Sequence, residues 1–215
     1  MKLLLVPAIF LLLYGVDTWQ PNPAPVSKHK FIVVAHRGDH VVYPENTLAA
    51  YQEAIKSEAD YVEIDLRTTK DAELVGMHDA NVNRMTNGTG LVKDLTLNEL
   101  EQFEVKSKDT TSKVIYRIPT FKQILRLCKH KINIYLDFKA ADPAVAYQMI
   151  KQYGMEKQVL VYINRAEQFT GWRKAASKMP LMLSLPDSVK NVAGMESFIY
   201  STCAPATAGY IILVT

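Results

Sequence analysis

The chain has 215 residues, 48% of them hydrophobic, and a formal charge of +3. Enough apolar material for one buried core excludes a disordered chain, and a small, scattered positive excess with no Lys/Arg block excludes a nucleic-acid binder. The two cysteines, Cys128 and Cys203, have neither zinc-site nor redox-pair spacing, and Cys128 falls in helical register with Phe121, Ile124 and Leu125, which predicts burial.

At the amino terminus Lys2 precedes an apolar run from Leu3 to Val16, too short to span a bilayer and suited to a signal-peptide core. Residues 1–18 are therefore expected to be a leader directing export to the periplasm or cell exterior, with no stable membrane span after its removal. A membrane anchor or a buried helix is the alternative. The stretch "WQPNPAPVSKHK" reads as a linker over residues 19–30.

Beyond it, short runs rich in β-branched residues alternate with longer amphipathic ones, the pattern of repeated β-α units. The spacing predicts strands over 31–35, 61–66, 74–77, 132–138, 159–164 and 181–185, with "YIILVT" at 210–215 as a seventh. Asn46 or Thr47 caps the helix through Leu48, Tyr51 and Ile55, and Asp142 with Pro143 opens a later one. An insertion with its own turn signal, "TNGTG", fills the interval from His78 to Pro119.

Such units give either an open doubly wound sheet or a (β/α)8 TIM barrel. In "YVEIDL" the side chains of Val62, Ile64 and Leu66 share one face and Glu63 and Asp65 the other, and "IYLDFK" sets Ile134, Leu136 and Phe138 against Tyr135, Asp137 and Lys139. A sheet covered by helices on both faces would bury those charges against apolar surface at several kcal/mol each, on the order of the cost of any unpaired buried charge. A barrel turns them into its mouth.

His36, Glu63, Asp65, His78 and Asp137 all fall in the last half of a strand or just after it, and the carboxyl ends of barrel strands converge on one site. Three crowded carboxylates imply a hard divalent cation, Ca2+ or Mg2+; zinc is a poorer match, with no cysteine offered. Arg37, beside His36, and Lys139, beside Asp137, supply cationic contacts for a phosphate. Metal, cations and two imidazoles together point to phosphodiester cleavage, His36 and His78 dividing the proton transfers in an order the spacing leaves open. Glu45, in "PENT", is expected as a hydrogen-bond partner of the site, Asp79 as the group orienting His78, and His29, His40 and His130 as surface residues.

In the blocks "AHRGDHVVYPENTLAAYQEAI", "YVEIDLRTTKDAELVGMHDANVNRMTNGTGLVKDLTLNEL", "RIPTFKQIL" and "IYLDFK" the chain resembles the glycerophosphodiester phosphodiesterase family from residue 31 to about 190. That resemblance implies a barrel domain over 31–193, a divalent cation, and hydrolysis of a small-molecule glycerophosphodiester to an alcohol and glycerol 3-phosphate. By position it makes His36 and His78 the acid/base pair, Glu63 and Asp65 metal ligands, and Arg37 and Lys139 phosphate contacts. Asp137 stands where the family commonly has Glu. Residues 194–215 depart from the family pattern, so the expectation is a barrel of six to seven strands with a truncated end. The alternatives are a non-catalytic remnant and a related barrel phospholipase. Headgroup preference and oligomeric state are not written in the sequence.

Overall fold

A computed structural model of the chain describes residues 22–109, 111, 113–184 and 211–213. Six parallel strands follow one another in space in the order in which they occur in the chain: β1 (Val34–Ala35), β2 (Tyr61–Thr68), β4 (Asn133–Ala140), β5 (Val159–Ile163), β6 (Leu181–Ser184) and β7 (Ile211–Leu213). A doubly wound sheet would reverse that order at a switch point; a sheet wound in one direction is the barrel solution. Among the described residues no pairing joins β1 to β7.

The helices are α1 (Leu48–Lys56), α2 (Leu97–Leu100), α3 (Phe121–Cys128), α4 (Pro143–Gln152) and α5 (Ala166–Ala175). Local chemistry fixes their ends. The Thr47 hydroxyl, not Asn46, accepts the Ala50 N–H to start α1; Thr120 and Gln123 cap α3 reciprocally; Asp142 accepts two N–H groups ahead of Pro143 in α4. Phe121, Ile124, Leu125 and Cys128 form one buried stripe on α3, and burial raises the Cys128 thiol to about 12, leaving it an inert apolar group.

Alternation within the strands separates two interiors. Val62, Ile64, Leu66, Ile134, Leu136, Phe138, Val159, Val161, Leu181 and Leu183 pack outward beneath the helices in the main core. The intervening positions turn inward, where Tyr61, Leu160 and Met182 gather with Tyr135 and Tyr162 as a separate apolar floor. Glu63, Asp65 and Asp137 share this inward parity, which is the polarity argument for a barrel realised in three dimensions.

One strand departs from expectation. β3 (Leu74–Gly76) runs antiparallel to β2, as a hairpin beside the parallel sheet. Only residues 69–73 separate it from β2, far short of the dozen or so a parallel crossover needs. The first strand is also shorter than its apolar run: residues 31–33 stay outside β1. The insertion carries a 3-10 turn (Val92–Asp94) and α2, and its Val82, Val92, Leu100, Val105 and Ile118 pack with Val75 and Met77 of the β3 segment into a small separate core. The expected leader, Leu185 of the sixth strand, Cys203, and all of the 194–215 tail except 211–213 lie outside the described residues.

Residues 22–33 cross the floor of the barrel, held mainly by Asp60, which immediately precedes β2. Its carboxylate accepts the Lys28 N–H (2.8 Å), the Val33 N–H (2.9 Å) and the His29 ring (3.0 Å), while the Tyr61 hydroxyl donates to the Pro25 carbonyl. His29 is thus an ion-pair partner of Asp60 and not merely a surface residue. These donors favour the ionised form and hold the Asp60 carboxyl well below its ordinary value of 3.8. A carboxyl lowered on folding stabilises the fold above its unfolded value, and that stabilisation is lost as pH falls through the folded one. Asp60→Asn, which replaces one acceptor oxygen by a donor, is expected to lower the thermal unfolding midpoint at pH 7 by several degrees. Melts recorded down to strongly acidic pH should show the gap to the parent closing below about pH 4.

Candidate active site

The three inward acids meet above the apolar floor. Asp65 and Asp137 are register partners on β2 and β4, whereas Glu63 pairs with Tyr135 one row below. The longer glutamate reaches up from the lower row, and one oxygen from each carboxylate lies within 4.8 Å of those of the other two. All three residues are buried. Two like charges 4.8 Å apart repel by about 3.5 kcal/mol at an effective dielectric near 20, so this arrangement requires positive charge beside it.

Part of that charge comes from Lys139, whose ammonium lies 2.5 Å from Asp137 Oδ2 and 3.3 Å from Asp65 Oδ1. The second contact lacks hydrogen-bond alignment, and Asp65 Oδ1 is a buried oxygen with no hydrogen-bond partner. A buried, unsatisfied carboxylate oxygen among three converging acids fits a hard cation with oxygen ligands, and Glu63, Asp65 and Asp137 are the residues that would hold one.

The β1–α1 loop supplies the next layer. Arg37 adopts the left-handed conformation (φ 56°) and so aims its own N–H at Glu63 Oε2, 2.9 Å away. Gly38 follows at φ 85°, where a Cβ would come within 2.7 Å of Ala50 Cβ, so the close approach of loop to α1 requires glycine. The Arg37 guanidinium contacts Glu45 Oε1 (3.1 Å) and stands 3.7 Å from Asp65 Oδ2. Asn46, also left-handed, donates to that Asp65 oxygen (2.9 Å) and accepts from the Tyr51 hydroxyl (2.8 Å).

His36 Nε2 stands 3.5 Å from Glu63 Oε2 with most of the imidazole open to solvent. Partial burial and the Arg37 charge lower its pKa. His40, expected as a lone surface residue, packs edge-on against it at 6.1 Å between ring centroids. His78 arrives by a route other than the end of a parallel strand: the antiparallel β3 carries the chain back to the level of Asp65, whose carbonyl accepts the Met77 N–H (2.9 Å), and Arg67 clamps the His78 carbonyl (2.6 and 3.0 Å). Asp79 Oδ1 lies 2.7 Å from His78 Nδ1, an arrangement that holds the ring with Nε2 outward.

Arg84 ties the two histidine loops together. It donates to both oxygens of Asp79 (2.6 and 3.1 Å) and both of Glu45 (3.3 and 2.7 Å), and so closes a chain of ion pairs from His78 through Asp79, Arg84 and Glu45 to Arg37. The same arginine holds the carboxyls of Asp79, at about 2, and of Glu45 below their ordinary values.

Every acid expected at the site lies in this cluster, with Arg37, Lys139 and His36 in direct contact and His78 joined through the ion-pair chain. Arg67, Arg84 and Asn164 have no role among the residues expected from the sequence, and Asn46 is expected there only as a helix cap. Arg84 opens the stretch "RMTNGTG" that contains the turn signal, and Asn164 follows a strand, the position at which barrel side chains reach the site, so both carried a signal. Arg67 and Asn46 carried none beyond being polar beside a motif.

Residues 36–192 match the Glycerophosphoryl diester phosphodiesterase family. A glycerophosphodiester phosphodiesterase of Caldanaerobacter subterraneus subsp. tengcongensis is 36% identical over 140 residues, 61% of this chain and 57% of that protein. One from Bacillus subtilis is 34% identical over 151 residues, 63% of this chain and 51% of the relative. The chain thus spans just over half the length of each of these two relatives. Among solved structures, a glycerophosphodiester phosphodiesterase from Agrobacterium tumefaciens superposes with a TM-score of 0.66 at 28% identity, covering 72% of this chain and 67% of that one. An Oleispira antarctica phosphodiesterase in complex with the product sn-glycerol-3-phosphate shares the fold, with a TM-score of 0.71 at 24% identity over 81% of this chain and 73% of that one.

Burial and the neighbouring Asp65 and Asp137 charges push the Glu63 carboxyl up to about 7 in the metal-free protein, against the pull of the Arg37 N–H. A carboxyl raised on folding holds its proton in the native state, so metal-free stability falls as pH rises from 4.5 through 7. Cation binding must expel that proton. Calorimetric titration with Ca2+ or Mg2+ is expected to show proton release below pH 7, with apparent affinity falling by up to about tenfold per unit as pH is lowered toward 4.5.

Proposed function

Because this chain belongs to the glycerophosphoryl diester phosphodiesterase family, we propose that it hydrolyses glycerophosphodiesters to an alcohol and sn-glycerol 3-phosphate with the help of one Ca2+ or Mg2+. The observation that carries this reading is the convergence of Glu63, Asp65 and Asp137, with a buried unsatisfied oxygen among them, beside two cations and the His36 imidazole, with His78 tied to the same loops through Asp79 and Arg84. The oxygen-only donor set favours a hard ion over zinc.

A divalent cation bound to the three acids supplies positive charge to the phosphoryl oxygens. Arg37 and Lys139 add theirs. With two cationic side chains against three acids the pocket is one charge negative once Glu63 has lost its proton, and a bound ion would turn it one charge positive, matched to the single negative charge of a phosphodiester. Arg37 can grip two phosphoryl oxygens through its planar fork, while Lys139 acts as a point charge.

His36 and His78 divide the proton work: one imidazole takes a proton from the oxygen attacking phosphorus, and the other delivers one to the alkoxide as its P–O bond breaks. Water is consumed, its hydroxyl ending on phosphorus and its remaining hydrogen on the alcohol. Asp79 keeps His78 directed, since its contact with Nδ1 leaves Nε2 for the substrate. Arg84 and Glu45 prevent the loops bearing His78 and Arg37 from moving independently.

Export through the amino-terminal segment is part of the proposal, supported by Lys2 ahead of the apolar run from Leu3 to Val16. An exported enzyme of this kind would act on phosphodiesters outside the cytoplasm.

Release of glycerol 3-phosphate from glycerophosphocholine tests the reading. Turnover should vanish with a chelator and return with Ca2+ or Mg2+, and His36→Ala or His78→Ala should each cut kcat by a factor of about 10² to 10⁴. Glu63→Ala should remove the dependence on metal together with activity. Chelator-insensitive turnover, or full activity in any of these variants, would overturn the mechanism.

A further inference from the structure

Asp137 is the acid with the least slack. Glu63 has an extra methylene, about 1.5 Å of additional reach, and Asp65 is fixed by Asn46 from the α1 side. Asp137 approaches from the adjacent strand β4 with a short side chain, and Lys139 draws its Oδ2 at 2.5 Å. Left with that partner alone, the carboxylate would turn to follow a flexible lysine.

Its other oxygen is held from the neighbouring strand. Asn164, the residue after β5, donates from Nδ2 to Asp137 Oδ1 at 2.6 Å and to the Phe138 carbonyl at 3.2 Å. The register explains the reach: Asp137 pairs with Tyr162 and Phe138 with Ile163, so the residue after β5 shares the inward parity of Tyr162 and lies one row above Asp137 on the adjacent strand. Asn164 is braced in turn. Gln168, buried on the first turn of α5, accepts the Asn164 and Arg165 N–H groups through Oε1 (2.7 and 3.1 Å) and donates to the same Phe138 carbonyl through Nε2 (2.8 Å).

We propose that Asn164 is a positioning residue that locks the Asp137 carboxylate in the orientation in which it joins Glu63 and Asp65 around a divalent cation. The proposal rests on the reading of these acids as a metal seat. A carboxylate held on one oxygen by a braced amide is restrained from rotating about its last bond, so the other, which Lys139 also contacts, faces the shared centre at a reduced entropic cost on binding. The Asn164–Gln168 brace supplies by rigidity what a glutamate would supply by length. Glutamate at position 137 would reach the centre unaided and make the brace redundant.

The test is a double-mutant cycle read by calorimetric titration of the metal-free full-length chain with Ca2+ and, separately, Mg2+. Asn164→Ala should weaken binding about 10- to 100-fold, the usual cost of losing a group that orients a ligand. In an Asp137→Glu background the same substitution should cost less than about threefold, because coupled residues are non-additive. Asn164→Leu, close to asparagine in shape but without a donor, should behave as the alanine variant does and carries the test if that variant folds poorly. In the single variants kcat should fall at low metal and recover at saturating metal, which a loosened fold would not reproduce. Unchanged affinity in Asn164→Ala and Asn164→Leu, or an equal loss in both backgrounds, would overturn the positioning role. Glu63→Gln separates this from failure of the underlying reading: if it leaves binding intact, the metal seat itself is misassigned.

Discussion

Mutual repulsion of three carboxylates on the inner face of a parallel sheet is the constraint on which the rest of the site depends. Their parity along β2 and β4 turns Glu63, Asp65 and Asp137 inward, and the strand register brings their oxygens within 4.8 Å of one another. Helices cover the outer face and an apolar floor of Tyr61, Leu160 and Met182 lies beneath, so neither direction offers the acids a polar alternative. Surrounding groups must therefore compensate, and nearly every polar side chain near the barrel mouth is accounted for by that need.

The compensation has two tiers. Lys139 and Arg37 neutralise directly, and Asn46, Asn164 and the Arg37 N–H fix individual oxygens by hydrogen bonds. Farther out, Arg84 joins Asp79 and Glu45, so the loop that brings His78 and the loop that brings His36 and Arg37 share one electrostatic clasp. Compensation remains incomplete: Asp65 Oδ1 has no hydrogen bond and Glu63 keeps its proton up to about pH 7. A fold that crowds three acids at its centre, one of them kept neutral and another left with an unpartnered oxygen, spends stability on function.

The strand carrying no acid is equally instructive. β3 contributes nothing to the parallel barrel, yet its antiparallel return places His78 at the level of Asp65. The insertion that follows packs with the β3 segment into a small separate core, which gives Arg84 a firm base from which to span two loops. Segments that look like decoration on the barrel thus position part of its candidate chemistry. At the opposite end, Asp60 draws residues 22–33 beneath the floor.

Alternation of apolar and charged residues in "YVEIDL" and "IYLDFK" was by itself sufficient to establish inward acids and a barrel, because side-chain parity along a strand is a local property. Position at or just after strand ends likewise grouped His36 and His78 with the acids, with Arg37, Glu45 and Asp79 expected beside them. The antiparallel sense of β3, the clasp through Arg84, and the grips of Asn46 on Asp65 and Asn164 on Asp137 were decided only in three dimensions. Each depends on how separate segments come to lie beside one another, and strand register and loop packing, not the character of any single residue, determine that proximity.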